Sequence, residues 1–536
     1  MKRALLILPV IFLFAACTHL SQAQIRFNKI YNIVSYEGEV SFLSFENLYV
    51  QNDGYFLIGM IPDTMSLCCV LPVALIVDSD GNITQWQSQW PFPKHQERYP
   101  FSKSLIKIDK HYYTLMRYSD RDNGLKFPVV AVYDSIGTLT NTYYLNDTLY
   151  SFFSGVANLC RLNNNSLLAS ASGTTATNSR QSIYTYAIDS NGIIMQINIY
   201  ATVGFGESYP KAIYKNQKEI ILFSSVSKQV PTTYSGFVSR IIARRLDTLG
   251  NFLGYSYQGS FADSLYGVQD VIATRDGGYL IATQRYTYSL SQNFQFTNGA
   301  FLKLSSSGVK QWMYFPGHYQ LGADSSSAIV NSNNAIELPS GDLMISGTYH
   351  QFKENGDTIT PAELRPPVYF WFLSKLSSNG ELKWNRLYNY IKPNNLRMYG
   401  LNNYDLDTCP DKGFILSGFL TDNVNGLSSG WLVKVDSMGC LVPGCYLPEP
   451  QNPTDSTVQV LLYPNPADQF INFVAKFFKG EVHYKLIDIQ GRIIAEGITA
   501  NDVTNMMDVR FLSSALYILQ VYDEHTRITK KVMVVH

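Results

Sequence analysis

The amino-acid sequence predicts an all-β fold, and three observations support this prediction. The 536 residues include 37 Tyr and 30 Phe, and aromatic and β-branched side chains favour the pleated, half-buried surface of a sheet. Short runs of alternating apolar and polar residues end repeatedly in turns of the form Asp/Ser-Ser/Thr-x-Gly. The spacing between these turns is nearly constant, which indicates a repeated structural unit.

The repeated turn occurs seven times, and its last residue is Gly81, Gly137, Gly192, Gly250, Gly308, Gly380 or Gly439. A second alternating run precedes each copy, and tight-turn residues introduce most of these runs. The fifth copy shows four predicted strands, Val268–Thr274, Gly278–Gln284, Ala300–Ser305 and Lys310–Phe315. Four antiparallel strands per repeat are typical of a propeller blade. We therefore predict a seven-bladed β-propeller at residues 24–447.

The repeated turn has a predicted role as the connection between the third and fourth strands of each blade. Its Asp or Ser side chain can accept a hydrogen bond from the backbone two residues later, and its Gly can adopt the left-handed conformation. The first copy, Asp78-Ser79-Asp80-Gly81, lacks the further oxygen ligands and the Glu of a calcium loop. We therefore expect a structural turn and no metal site.

The seventh copy lacks a fourth strand, because Gly439 is followed by the short segment CLVPGCYLPEP. A matching strand lies at the other end of the chain, where FNKIYNI (Phe27–Ile33) aligns with WNRLYNY (Trp384–Tyr390). We predict that strand 27–33 completes the last blade and removes an exposed sheet edge. Cys440 and Cys445 are candidates for a disulfide, which an oxidising compartment permits.

The N-terminus predicts export from the cytoplasm. Residues 1–23 have a basic start and an apolar core too short to span a membrane, which is typical of a signal peptide. Cleavage after Ala23 is one interpretation, and lipidation of Cys17 in the lipobox-like Phe14-Ala15-Ala16-Cys17 is the other. No later segment predicts a transmembrane helix in the mature chain. Only 16% of residues are charged and the net charge is zero, which argues against a nucleic-acid partner.

A Pro-bearing linker at 448–456 precedes a different module at 457–536, where strands alternate with turns as in a small β-sandwich. Four motifs occur in order, Tyr463-Pro464-Asn465-Pro466, Asp488-x-x-Gly491-Arg492, Leu516-Tyr517 and Lys530-Lys531-Val532. Together they resemble the type A C-terminal sorting domain of type IX secretion substrates. One departure is Leu512–Ala515, where the family usually has a turn with Pro and Gly.

This resemblance implies a route and a partner. The N-terminal signal would direct the chain through the inner membrane, and type IX secretion machinery would recognise the sorting domain and carry the chain across the outer membrane. The expected location is the cell surface or the medium, and family members are commonly cleaved at the linker. The residues implied in sorting are Tyr463, Pro464, Asn465, Pro466, Asp488, Gly491, Arg492, Tyr517, Lys530 and Lys531.

The molecular activity is less constrained by the sequence. Common catalytic motifs are absent, the eight His have no ligand spacing, and neither a cofactor nor a catalytic residue can be named. Two carboxylates that meet in space could still hydrolyse glycosides. Candidate binding places are the propeller channel, the insertion His350–Tyr369 and the segment Trp90–Tyr99. We expect a binding or adhesion module for an extracellular glycan or protein; the alternative is an extracellular polysaccharide hydrolase or lyase with carboxylates at the channel.

Overall fold

The computed structural model describes residues 26–536 except 32, 35–39, 42, 63–69, 89–95, 121–123, 125, 146–149, 163–164, 176–177, 217, 230–236, 259–264, 290–293, 317–327, 352–367, 392–397, 423–427, 443–444 and 446–456. The described part is all-β and contains no α-helix, and so no described helix could cross a membrane. The predicted signal peptide with Cys17, the adjacent Cys68 and Cys69, and the linker 448–456 lie outside the described residues.

Seven groups of antiparallel strands, which we number sheets 1 to 7, follow one another along residues 44–435, after the short strands β1 (Phe27–Tyr31), β2 (Ile33–Val34) and β3 (Val40–Ser41). Sheets 5 and 6 are joined by one parallel pair, Asn298↔Val330. Sheet 1 contains β4 (Ser44–Val50), β5 (Gly54–Pro62), β6 (Val70–Asp78) and β7 (Ile83–Gln87). Sheet 2 contains β8 (Gln96–Pro100), β9 (Ile106–Ile108), β10 (His111–Asp120), β11 (Lys126–Tyr133) and β12 (Leu139–Tyr144). Sheet 3 contains β13 (Tyr150–Arg161), β14 (Leu167–Thr175), β15 (Asn178–Ile188) and β16 (Ile194–Tyr200).

The later sheets repeat this order. Sheet 4 contains β17 (Gly206–Asn216), β18 (Glu219–Gln229), β19 (Phe237–Leu246) and β20 (Phe252–Gln258). Sheet 5 contains β21 (Leu265–Ala273), β22 (Tyr279–Ser289), β23 (Phe294–Leu304) and β24 (Lys310–Tyr314). Sheet 6 contains β25 (Ala328–Glu337), β26 (Leu343–Gln351), β27 (Val368–Leu376) and β28 (Leu382–Ile391). Sheet 7 contains β29 (Met398–Thr408), β30 (Phe414–Asp422) and β31 (Ser428–Val435).

The fourth strand of sheet 7 is β1, which pairs antiparallel with β31 from Phe27↔Lys434 to Tyr31↔Gly430. This strand is shorter than the predicted 27–33. It ends at Tyr31, and Ile33 pairs with Ser41 instead. The first strand of sheet 1, β4, begins at Ser44.

The seven sheets close on themselves, and we call this assembly the ring. The first strands of sheets 3 to 7 contact one another in order, and β29 of sheet 7 contacts β4 of sheet 1. The apolar core lies between successive sheets. The rings of Phe56 and Tyr112 stack across sheets 1 and 2 at 4.0 Å, and those of Trp371 and Trp431 lie 4.0 Å apart across sheets 6 and 7.

The repeated turns of sheets 2, 3, 4, 6 and 7 each pack against the preceding sheet. At the end of β31, Asp436 Oδ1 accepts hydrogen bonds from the N–H groups of Met438 and Cys440, and Gly439 has φ +72°. A Cβ atom on Gly439 would lie 2.8 Å from the ring of Trp384. The Tyr388 hydroxyl donates to the Gly439 carbonyl at 2.7 Å.

The N-terminal strand makes the same contacts with sheet 1. The ring of Phe27 lies where a Cβ on Gly81 would be 2.9 Å away, and the Tyr31 hydroxyl donates to the Gly81 carbonyl at 2.7 Å. Phe27 and Tyr31 are the residues that align in sequence with Trp384 and Tyr388. β1 therefore contacts sheet 1 as β28 contacts sheet 7.

The C-terminal part contains β32 (Gln459–Tyr463), β33 (Phe470–Lys476), β34 (Val482–Ile487), β35 (Ile493–Thr499), β36 (Val503–Asp508), β37 (Ala515–Tyr522) and β38 (Arg527–Val534). One sheet has the order β35-β34-β37-β38, and β36-β33-β32 form the other, which continues from β28. Buried apolar side chains of both sheets, among them Phe473 and Leu519, form one core. Cys440 and Cys445 form a disulfide, while Cys160 and Cys409 are buried free thiols.

Candidate functional site

The first strands of the ring share an irregularity. The pairing register shifts at Glu46 in sheet 1, Gln269 in sheet 5, Asn333 in sheet 6 and Tyr404 in sheet 7. A β-bulge of this kind bends the strand and re-aims the next side chain. The next residues are all buried polar ones, Asn47, Asp270, Asn334 and Asp405.

Several of these side chains tie neighbouring sheets together. Asp270 Oδ2 accepts the backbone N–H of Ala335 at 3.0 Å, which joins sheet 5 to sheet 6. Asp405 Oδ2 accepts the N–H of Leu48 at 3.0 Å, which joins sheet 7 to sheet 1. Asn47 Oδ1 accepts the N–H of Ser104, which joins sheet 1 to sheet 2. Asn158 Oδ1, also on a first strand, accepts the N–H of Ala212, which joins sheet 3 to sheet 4. Buried backbone donors are costly to leave unpaired, and so these side chains stabilise the ring.

Lys103 reaches beyond the neighbouring sheets. It lies where the first strand of sheet 2 is interrupted between β8 and β9, and its φ of +53° is unusual for a residue with a Cβ. Its Nζ lies 2.5 Å from Asp270 Oδ2 in sheet 5 and 4.0 Å from Asp405 Oδ1 in sheet 7. Burial lowers the pKa of Lys103, but the two carboxylates outweigh it and the net shift is upward. One ammonium group thus connects three sheets that are not neighbours.

Two further charged residues, Lys211 and Glu46, join Lys103, Asp270 and Asp405 among the first strands of the ring, and we call these five residues the axial cluster. Lys211 is buried, its Nζ lies 3.5 Å from the Ser102 carbonyl, and burial lowers its pKa to about 8. Glu46 accepts hydrogen bonds from the hydroxyls of Ser44 at 3.0 Å and Ser102 at 2.9 Å. Burial raises the pKa of Glu46 to about 7. Burial likewise raises the pKa of Asp405 to about 7, although Lys103 opposes this shift.

The cluster therefore contains two kinds of carboxylate. Asp270 and Asp405 bond backbone N–H groups and share one lysine, so their oxygens already have partners. Glu46 is held by two hydroxyls and has no ion pair among the described residues. None of these residues was identified in the sequence. A usable signal was a polar residue directly followed by an apolar one within the first strand, as in Asn47-Leu48, Asp270-Val271, Asn334-Ala335 and Asp405-Leu406. No comparable signal marks Lys103.

The residues of the predicted sorting motifs shape the C-terminal part. Asp488 Oδ1 accepts the N–H groups of Gln490 and Arg492 at 2.9 Å, and Arg492 Nε donates to Asp488 Oδ2 at 2.6 Å. Gly491 has φ +84°. These bonds form the same turn as the repeated turn of the ring. The partners of Asp488 in these bonds, Gln490 and Arg492, both belong to the turn itself.

The first motif is joined to the last strand. Asn465 Nδ2 donates to the carbonyl of Lys531 at 2.8 Å, and its Oδ1 accepts the N–H of Met533 at 2.9 Å. The peptide bonds before Pro464 and Pro466 are cis. Asn465 thus connects the segment after β32 to the strand that carries the basic motif.

The remaining motif residues lie on or beside the edge strand β38. Lys530 and Lys531 are exposed on this strand, and Tyr463 is half exposed. The Tyr517 hydroxyl donates to the Ser513 carbonyl at 3.0 Å, so the atypical 512–515 segment is still anchored to the strand that follows it.

A family model described as "Secretion system C-terminal sorting domain" matches residues 461–535. The match confirms the sorting domain predicted from the four motifs. The domain indicates export across the outer membrane to the cell surface or the medium, with the type IX machinery as partner. No curated protein is significantly similar to the chain.

Solved structures show only distant similarity. Polysaccharide lyase Uly1 is 8% identical, with 73% of this chain and 90% of that chain covered and a TM-score of 0.42. The α-L-arabinofuranosidase Arb93A from Fusarium graminearum is 12% identical, with coverages of 63% and 92% and a TM-score of 0.37. A protein of unknown function from Dyadobacter fermentans is 11% identical, with coverages of 64% and 95% and a TM-score of 0.38. At these scores the similarities establish no activity for this chain.

Proposed function

We propose that the chain is an exported binding or adhesion protein that recognises an extracellular glycan or protein. Its scaffold is a seven-bladed β-propeller at residues 24–447, followed by a β-sandwich at 457–536. The succession of seven sheets and the contact between β29 and β4 support the propeller. The two C-terminal sheets with one shared core support the sandwich.

Binding is favoured over hydrolysis because Asp270 and Asp405 of the axial cluster already have bonding partners. Glycoside hydrolysis requires two carboxyl groups that can approach the substrate, one as acid and one as base or nucleophile. Asp270 and Asp405 are instead bonded to the backbone and to Lys103, which makes them structural groups of the ring.

The two edges of the ring favour different roles. Turns between first and second strands, and between third and fourth strands, lie on one edge because strand direction alternates, and most of them span five residues or fewer. On the opposite edge, some consecutive strand ends are separated by more residues, as between Pro62 and Val70, Tyr314 and Ala328, and Gln351 and Val368. Long loops on a rigid scaffold commonly bind ligands. We assign ligand binding to this loop edge, which includes the predicted insertion His350–Tyr369; its residues 352–367 lie outside the described part.

The predicted segment Trp90–Tyr99 is described only from Gln96, where β8 begins. Tyr99 lies in β8, and its ring is 4.3 Å from the guanidinium carbon of Arg117. This cation–π contact fixes one end of the segment to sheet 2.

The alternative function, a polysaccharide hydrolase or lyase, rests on Glu46. A pKa of about 7 suits a general acid near neutral pH. Under this alternative Glu46 would donate a proton to the leaving group, and its two hydroxyl partners would orient it.

One experiment separates the two functions. The purified mature protein is tested for binding to immobilised polysaccharides and host-type proteins, and for release of reducing ends or unsaturated sugars from the same polysaccharides. We expect binding without product, and unchanged binding in Glu46→Gln. Product release that Glu46→Gln abolishes, and that the exposed-turn control Asp80→Asn retains, would overturn the binding function in favour of the enzyme.

A further inference from the structure

The fourth strand of sheet 6 is unusual among the outer strands of the ring. β28 has 10 residues, whereas the other fourth strands have five to seven. The additional length pairs with the C-terminal part, in parallel register from Leu387↔Val503 to Ile391↔Met507. The other edge of β36 pairs with β33, so that β36 has backbone partners on both sides.

Side chains of β36 complete the core of the ring. All six residues of this strand are buried. Val503 packs in one apolar cluster with Leu387 of sheet 6, and Met506 packs in another with Trp371 and Tyr388. Both are fully shielded from solvent, and removing them from these clusters would expose apolar surface on both partners.

Polar contacts and the disulfide loop extend the same surface. The Tyr390 hydroxyl donates to Asp508 Oδ2 at 3.3 Å. Lys476 Nζ, which is buried, donates to the carbonyl of Cys445 at 3.0 Å. Leu441, inside the loop closed by the disulfide, lies in the same cluster as Met506. We define residues 387–391, together with Leu441 and Cys445, as the sheet-6 dock.

We propose that the sheet-6 dock is a binding site for the chain's own sorting domain, and that it holds the domain without covalent attachment once the linker is cut. The mode of binding is strand addition, in which backbone pairing supplies affinity and buried side chains supply specificity. Docking covers β36 and leaves Lys530 and Lys531 exposed on β38, so this basic motif stays accessible in the docked state. Cleavage at the linker is then not equivalent to release of the domain.

The test uses the full chain with a site-specific protease sequence placed in 448–456. The oxidised protein is cut and passed over a size-exclusion column at a concentration on the order of 1 μM. We expect the two fragments to elute together. Met506→Lys should separate them, whereas the matched control Met533→Lys, at an exposed position on β38, should not. Separation of the unmutated fragments, each still folded by circular dichroism, would overturn the proposal.

A variant on the ring side guards against unfolding of the sorting domain itself. Tyr390→Ala leaves every residue of the sorting domain unchanged. It should increase the dissociation rate of the cut fragments at least several-fold, while circular dichroism confirms that the ring, whose apolar cluster contains Tyr390, stays folded. Amide exchange over residues 503–507 gives an independent readout. In the cut protein these amides should stay as protected as in the uncut protein, and Tyr390→Ala should accelerate their exchange. Equal exchange in the cut variant and the cut parent would contradict the dock.

Discussion

The Asp-x-x-Gly turn occurs in both parts of the molecule with the same hydrogen bonds and different surroundings. Gly439 N donates to the Asp436 carbonyl at 3.0 Å in the ring, and Gly491 N donates to the Asp488 carbonyl at 3.0 Å in the sorting domain. A Cβ on Gly439 would meet Trp384 at 2.8 Å, whereas a Cβ on Gly491 would meet nothing within 4 Å. Local chemistry makes the turn, and packing decides whether the turn also holds two sheets together.

Buried carboxylates differ between the two parts as well. Burial raises the pKa of Glu46 in the ring to about 7. Burial also opposes ionisation of Asp523 in the sorting domain, but backbone N–H donors, among them those of Lys479 and Thr526, lower its pKa to about 2. Ionisation therefore destabilises the ring at Glu46 and stabilises the sorting domain at Asp523.

The largest expected effect is the difference in stability lost when the turn glycine is replaced in the ring and in the sorting domain. Gly439→Ala should lower the free energy of unfolding by about 4 kcal/mol, because it combines a positive φ with a methyl group forced against Trp384. Gly491→Ala carries only the backbone cost of about 1 kcal/mol. Denaturant unfolding of both variants measures the difference. Equal losses would show that the turn glycine does not pack against the neighbouring sheet.

The next largest effect is the pH dependence of the stability that Glu46→Gln adds to the ring. Because the folded pKa of Glu46 is raised, its penalty is absent below the ordinary value of 4.5, grows as the pH rises to about 7, and stays constant above it. Glu46→Gln removes this penalty, so its stability relative to the parent should increase by about 3 kcal/mol between pH 4 and pH 8.

Asp523→Asn should show the opposite pH dependence, because the pKa of Asp523 is lowered whereas that of Glu46 is raised. The folded pKa of Asp523 is lowered, so its stabilisation is present above the ordinary value of 3.8 and is lost as the pH falls towards 2. The variant should therefore lose most stability relative to the parent at neutral pH and least near pH 2. Thermal melts across the pH range measure both variants, and shifts of the same sign would contradict the assigned environments.

The smallest effect compares two tyrosines. Tyr31→Phe and Tyr388→Phe each remove a buried hydrogen bond to a turn carbonyl, and each should cost about 1 kcal/mol. Tyr279→Phe is the control, because its buried hydroxyl has no partner among the described residues, and its cost should be near zero. A loss at Tyr388 without one at Tyr31 would show that β1 does not act as a fourth strand.

Local features of the chain could be predicted from the sequence. The turn at Asp436–Gly439 follows from an Asp that accepts backbone N–H groups and a Gly that tolerates positive φ. The partner of sheet 7 followed from the match of Phe27 and Tyr31 with Trp384 and Tyr388, since both pairs face the same kind of turn. The sorting motifs were recognised by their resemblance to the sorting-domain family, and the structure shows that several of their residues make local turns and a short connection to β38.

Long-range features could not be predicted. Lys103 reaches Asp270, which is 167 positions away, from a strand interruption with positive φ, and neither property has a local pattern. The sequence VTNMMD of β36 does not reveal burial on both faces, since that depends on β28 in another domain.

Closure of the ring by its N-terminal strand is the central claim, and amide hydrogen exchange over residues 27–31 of the native protein tests it most directly. The account predicts exchange as slow as that of the paired residues 430–434, because both segments would open only when the ring unfolds. Exchange of residues 27–31 at the rate of an unpaired chain end, with residues 430–434 still protected, would contradict it.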